Sequence, residues 1–217
     1  MGKNLSSRYW VKFFINTLII GGVTAGIVGI IARWDEFSSL APGELITGFL
    51  WLVGVGLIFS VISQMCFFAY LTVHRLGLGI FKSPFLWNAV QVVLTIFVLF
   101  DLAYLRFVFF GKENEAATSY IWFSFLILVV GLIVGALKVK QTNKQAFIPT
   151  LFFMVVVTVI EWFPVLRLNE DAWMYFMLIP LLVCNAYQLL ILPKYNEKSR
   201  IAAEERMNRN KKAAHSR

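Results

Sequence analysis

Six long apolar stretches, separated by short charged or turn-rich connectors, leave this chain of 217 residues few ways to fold. They run over Val11–Ala32, Glu44–Leu71, Pro84–Phe109, Ser119–Leu137, Phe147–Val165 and Trp173–Leu192. The hydrocarbon core of a bilayer is about 30 Å thick and is crossed by about 20 residues of α-helix. Lipid offers the backbone no hydrogen-bond partner, so a spanning stretch must satisfy its own N–H and C=O groups as a helix. The runs are also too long and too uniformly apolar for buried strands. Between them lie Asp35-Glu36, Ala41-Pro42-Gly43, Lys82-Ser83-Pro84, Gly111-Lys112-Glu113-Asn114-Glu115 and Gln141-Thr142-Asn143-Lys144. The expected fold is all-α: a polytopic membrane bundle of six transmembrane helices over residues 1–192, then a basic tail over 193–217.

Composition agrees. Apolar residues make up 59% and charged residues 15%, against roughly 25% charged in a soluble domain. Too few polar residues remain to cover a water-facing surface. The net charge of +8 would suggest nucleic acid if it were spread over a soluble face, but most of the excess sits in the tail, so no nucleic-acid partner is expected. Cys66 and Cys184 lie inside apolar stretches and form neither a zinc spacing nor a disulfide framework. The first stretch follows Lys3, Arg8 and Lys12, as a signal peptide would. It is too long for an h-region and no A-x-A-like site follows it, so a retained anchor is expected. Met1-Gly2-Lys3-Asn4-Leu5-Ser6 fits the short myristoylation pattern, but an acyl chain adds little beside six spans.

Orientation follows from the basic residues. With the N-terminus inside, sixteen of the twenty Lys and Arg fall on the cytoplasmic side, and only Arg33, Arg106, Lys112 and Arg167 fall outside. A wrong number of spans would have spoiled this asymmetry. Both termini are therefore expected in the cytoplasm of a bacterial plasma membrane. Trp10, Trp34, Trp87, Trp122, Trp162 and Trp173 lie near proposed span ends, where indole favours the headgroup level.

Ionisable residues inside spans are costly and mark candidate sites. Asp101 and Glu161 lie about 25 Å and about 20 Å along the third and fifth spans. Both depths point to the outer part of the bilayer, where Arg33, Arg106 and Arg167 also fall. These five form a candidate outer polar cluster, either structural ion pairs or an outward-facing pocket. A second candidate set lies in the inner half. Gln64 sits in the second span, Asn185 and Gln188 share a face of the sixth, and Pro180 breaks that helix's hydrogen bonding. These are either interhelical hydrogen bonds or a hinge. Gly22, Gly26 and Gly29 in the first span, and Gly131 and Gly135 in the fourth, allow close helix packing within the bundle or against a partner.

The tail holds eight basic and three acidic residues, and its Ala and Glu content favours a helix over 199–212. Arg206, Arg209, Lys211 and Lys212 are the candidate contact with anionic lipid or an acidic partner. Pro193 is expected to end the sixth span. Catalytic patterns are missing. The two histidines, His74 and His215, provide no metal set, and there is no Ser–His pair, nucleophile elbow or phosphate loop. No enzyme activity, metal or cofactor is expected.

The N-terminal part reads Ser7-Arg8-Tyr9-Trp10-Val11-Lys12-Phe13-Phe14, then Thr17-Leu18, Gly21-Gly22, Gly29 and Arg33-Trp34-Asp35-Glu36-Phe37. In these residues, and in length and span layout, the chain resembles the KinB-signalling pathway activation (KbaA-like) family of spore-forming Firmicutes. The resemblance implies a membrane regulator that activates a sensor histidine-kinase pathway leading to sporulation, with the kinase or its accessory proteins as partner. It supplies no active-site residues. Two other readings stay open, a small membrane transporter and a scaffold or lipid-binding protein. Against transport, the two three-span halves show no visible similarity, and Pro180 has no counterpart in the third span.

Overall fold

The computed structural model describes residues 7–110, 118–166 and 171–215. All elements among the described residues are helical: α1 (Ser7–Ala32), a short α2 (Trp34–Phe37), α3 (Pro42–Phe81), α4 (Pro84–Phe110), α5 (Thr118–Gln141), α6 (Phe147–Phe152), α7 (Thr158–Leu166) and α8 (Asp171–His215). A 3₁₀ turn over Lys144–Ala146 leads into α6, and a π-helical turn over Phe153–Val157 separates α6 from α7. Six helical segments are long and apolar enough to cross a membrane. They coincide in order and position with the six apolar stretches, and the 3₁₀–α6–π–α7 run counts as one of them.

Two helix groups make up the bundle. In one, α1 packs along α3 and α8; in the other, α4, α5 and α6 pack together. α7 lies on α8, and α5 also touches α8, which joins the groups. Small residues explain the first group. A Cβ on Gly26 would lie 2.6 Å from Phe49, one on Gly29 2.7 Å from Leu52, and one on Gly22 3.1 Å from Leu57. From the other side, a Cβ on Gly56 would lie 2.3 Å from the Ala25 methyl and 2.8 Å from the Gly21 carbonyl. Gly131 and Gly135 face Leu151 and Phe147 in the same manner. The glycine faces are thus occupied by helices of this same chain, and of the two uses open to them the structure fills the intramolecular one. The opposite face of α1 shows Val11, Ile15, Ile19, Val23, Ile27 and Ile31 to the outside, an apolar stripe at four-residue spacing suited to lipid.

Two helix lengths differ from expectation. α3 does not stop near Leu71 but continues to Phe81, because its last turns pack on the start of α4: Gly77 abuts the Trp87 indole, which donates to Nδ1 of His74 at 3.0 Å. α8 does not stop at Pro193 either and runs unbroken to His215. Proline has no N–H, so the carbonyl of Leu189, four residues earlier, loses its helical donor. The ammonium of Lys138 on α5 donates to that carbonyl instead. Beyond Pro193 the helix stays fastened to α1, where Asn16 donates to the Tyr195 hydroxyl at 3.0 Å.

Candidate functional site

The middle of the bundle holds buried polar side chains from three helices. α3 brings Ser60, Ser63 and Gln64 inward because residues three and four apart share a face. Asn185 and Gln188 of α8 face them for the same reason. Thr158 and Glu161 reach this seam from α7. The π turn just before them adds about one residue per turn, which rotates the rest of the span by roughly 100° relative to an uninterrupted α-helix.

The hydrogen bonds form one connected set. Ser63 donates to Oδ1 of Asn185 at 2.7 Å, and the Asn185 amide donates to Thr158 at 2.9 Å and to Oε2 of Glu161 at 2.7 Å. Gln188 donates to the Ser63 hydroxyl at 2.5 Å. Asn185 therefore ties α3, α7 and α8 together with a single side chain. Next to Asn185 on α8, the Cys184 sulfur meets Ser60 at 3.6 Å and lies 3.9 Å from the carbonyl of Thr17 on α1.

The set is incompletely satisfied. Glu161 is 3% exposed and no ion pair of the described residues balances it, while its Oε1 has no hydrogen-bond partner. Both amide atoms of Gln64, itself 2% exposed, and Oε1 of Gln188 are in the same condition. Unpaired buried polar atoms cost more than they would in water, and they mark places where a core can rearrange or admit a ligand. No group of three or more His, Cys, Asp or Glu among the described residues could hold a metal.

The structure regroups the candidate residues. Glu161 joins Asn185 and Gln188 of the inner set. No hydrogen bond or ion pair of the described residues links it to Asp101, which sits half-buried on α4, or to Arg33. Arg33 pairs with Glu36 at 2.6 Å and lines a small cavity with Trp173 and Phe176. Arg167 lies outside the described residues, as do the side chains of Arg106, Arg206, Arg209, Lys211 and Lys212. Pro180 is buried within α8 and does not interrupt it.

Several participants do not stand out in the sequence: Ser60, Ser63, Thr158, Tyr70, Gln91 and Lys138. A signal is nevertheless present, since 60, 63, 64, 67 and 70 trace one face of an otherwise apolar helix, and Gln91 and Thr95 do the same on α4. Gln91 donates to the Tyr70 hydroxyl at 3.2 Å, which donates in turn to the carbonyl of Pro149 at 2.9 Å.

A family model described as "KinB-signalling pathway activation in sporulation" (KbaA) matches residues 21–195. The chain belongs to this family. It is 46% identical over 198 residues to the "KinB-signaling pathway activation protein" of Bacillus subtilis (strain 168), which covers 89% of this chain and 100% of that protein. No solved structure matches. Every member of the polar set lies inside the stretch shared with the KbaA family, whereas the basic residues from Lys198 onward lie beyond the matched segment. Membership supports a role in sporulation signalling.

Proposed function

We propose that this protein is a multi-pass, non-enzymatic membrane regulator that activates a KinB-type sensor kinase pathway by transmitting the state of its buried polar set along α8. The observation that carries this reading is the continuity of α8. One helix holds Asn185 and Gln188 in the seam and continues for about 40 Å to its basic end. A helix tied at Asn185, Tyr195 and Leu189 moves as a rod, so a rearrangement around Glu161 displaces the far end. The sequence from Pro193 on holds eight of the chain's twenty Lys and Arg, and basic residues near a membrane gain about 1 kcal/mol each from anionic lipid. An acidic face on the kinase or an accessory protein would compete for the same charges. The orientation argued from the basic residues puts this end in the cytoplasm, where a kinase domain works.

The test is deletion of Ser199–Arg217 in a KinB-dependent sporulation reporter strain, compared at matched membrane abundance. Insertion should persist, because the spans and Lys194 remain, while activation should fall. Wild-type output from the deletion would confine coupling to the spans.

A small transporter is the second reading, favoured by the interruption of the fifth span by a π turn beside Glu161. In a three-plus-three arrangement its counterpart is the second span, and α3 runs as one α-helix over Pro42–Phe81 with no matching break, which favours the regulator.

A further inference from the structure

A second cluster, separate from the Glu161 seam, lines an open cavity of about 290 Å³ between α3, α5, α6 and α8. Lys138 dominates it. This lysine is only 9% exposed, and its ammonium donates to the Leu189 carbonyl that Pro193 leaves without a donor. One contact leaves two of its three N–H groups uncommitted. No carboxylate of the described residues pairs with it, and no Asp or Glu lines the cavity. A buried ammonium balanced only by a carbonyl dipole favours the entry of an anion.

Two other polar wall residues, His74 and Asn143, can act as donors. Nδ1 of His74 accepts from Trp87, so a neutral imidazole carries its proton on Nε2 and offers it as a donor. Oδ1 of Asn143 accepts from the Ala146 N–H at 3.1 Å, which leaves its amide N–H groups available. The Tyr70 hydroxyl is committed to Pro149 and Gln91. Phe67 and Leu189 supply apolar wall. The exposed Lys144 near this end would raise the local concentration of anions.

We infer that this cavity binds a phosphate-type oxyanion, with Lys138 as counter-ion and His74 and Asn143 as donors, and with its apolar wall taking the carbon part of the ligand. Two sources share this chemistry: the headgroup of an anionic phospholipid and a soluble phosphate monoester. The inference concerns binding and requires no kinase output, so it stands or falls apart from the signalling role.

The full chain in nanodiscs of phosphatidylcholine containing phosphatidylglycerol is the material to test. Native mass spectrometry reads retained phosphatidylglycerol, and thermal melting in pure phosphatidylcholine reads stabilisation by glycerol 3-phosphate or inorganic phosphate. The lipid source predicts retained phosphatidylglycerol that drops about tenfold in Lys138→Gln. The soluble source predicts a raised melting temperature with glycerol 3-phosphate or phosphate that is lost in the same variant. Lys140→Gln, which removes an exposed charge on the same helix, should behave as wild type in either arm. His74→Met keeps a weak sulfur acceptor for Trp87 and carries no N–H donor, so it should weaken binding even if Lys138→Gln fails to fold. Binding in neither arm, or equal binding by wild type, Lys138→Gln and His74→Met, would overturn the inference.

Discussion

Replacing Asn185 with Ala tests whether the polar set holds the bundle together. The amide makes three of the seam's hydrogen bonds: one from Ser63, one to Thr158 and one to Glu161. Interhelical hydrogen bonds in membrane proteins average about 0.6 kcal/mol and reach about 1.7. Two neutral bonds near the average and one to a buried carboxylate near the maximum add up to about 3 kcal/mol. In a chain of this size that corresponds to a drop in melting temperature of roughly 6–12 °C. Glu161→Gln should cost less than about 1 kcal/mol, because the new side chain keeps an oxygen for Asn185 to donate to. The double variant supplies the sharper test. Asn185→Ala strands the Glu161 carboxylate without its donor, so adding Glu161→Gln should restore about 1–2 kcal/mol of the loss. Asp101→Asn, which shares no hydrogen bond with Glu161, should leave the melting temperature unchanged. The assay is thermal unfolding of purified protein in detergent, with reporter output measured in parallel. If Asn185→Ala melts with wild type, or the second substitution restores nothing, the seam is not the joint described.

The glycines supply a contrast pair. Gly56→Ala places a methyl 2.3 Å from Ala25 and should cost about 1–3 kcal/mol of stability, while Gly54→Ala meets nothing within 4 Å and should be neutral or slightly stabilising. Reporter fusions active only outside the cell should score after Phe37, Glu115 and Asn169 and stay silent after Lys82, Lys144 and the tail; an external signal at Lys144 would break the proposed orientation. Changing Arg206, Arg209, Lys211 and Lys212 to Gln should lower kinase-dependent output at unchanged abundance, and unchanged output would remove these charges from the coupling.

The spans were legible because one constraint, the absence of backbone partners in lipid, dominates everything else over about 20 residues. Their ends were not. Hydropathy reports where a helix is apolar rather than where its hydrogen bonds stop, so the turns after Leu71, fixed by Gly77 against Trp87, fall outside the apolar window. Pro193 reads as a terminator because its local effect is real. What cancels that effect is Lys138, 55 positions earlier in the sequence, and pairing at that separation leaves no periodic trace. Lys138 itself reads as a flanking charge at the end of a span, and only the fold turns its ammonium inward. Depth alone groups Glu161 with Asp101. A depth count says nothing about which way a side chain points around the helix, and the π turn shifts that direction for everything after Val157. Asn185 and Gln188 were legible as a shared face, since three-residue spacing on a helix needs no tertiary knowledge. Ser63 and Thr158 were hidden by being small hydroxyls, which apolar helices often tie to their own backbone.

The helices of this bundle are joined by two kinds of contact, and the difference decides where movement belongs. Between α1 and α3 the helices meet closely at Gly21 and Gly56, where even a methyl does not fit. Such surfaces interlock and cannot slide without first separating. Between α3, α7 and α8 the contact is made by amides, hydroxyls and a carboxylate, with acceptors left over on Gln64, Glu161 and Gln188. An amide can exchange one acceptor for another at small cost, so this seam has alternative arrangements of similar energy. The π turn beside it gives α7 a place to change register, as a run of α-helix would not. α8 meets both kinds of contact: it packs along α1, is held there by Asn16 at Tyr195 and to α5 by Lys138 at Leu189, and offers its other face to the seam. A change at Glu161 is therefore expected to reach residue 195 and beyond through the body of one helix, and not through a relay of side chains.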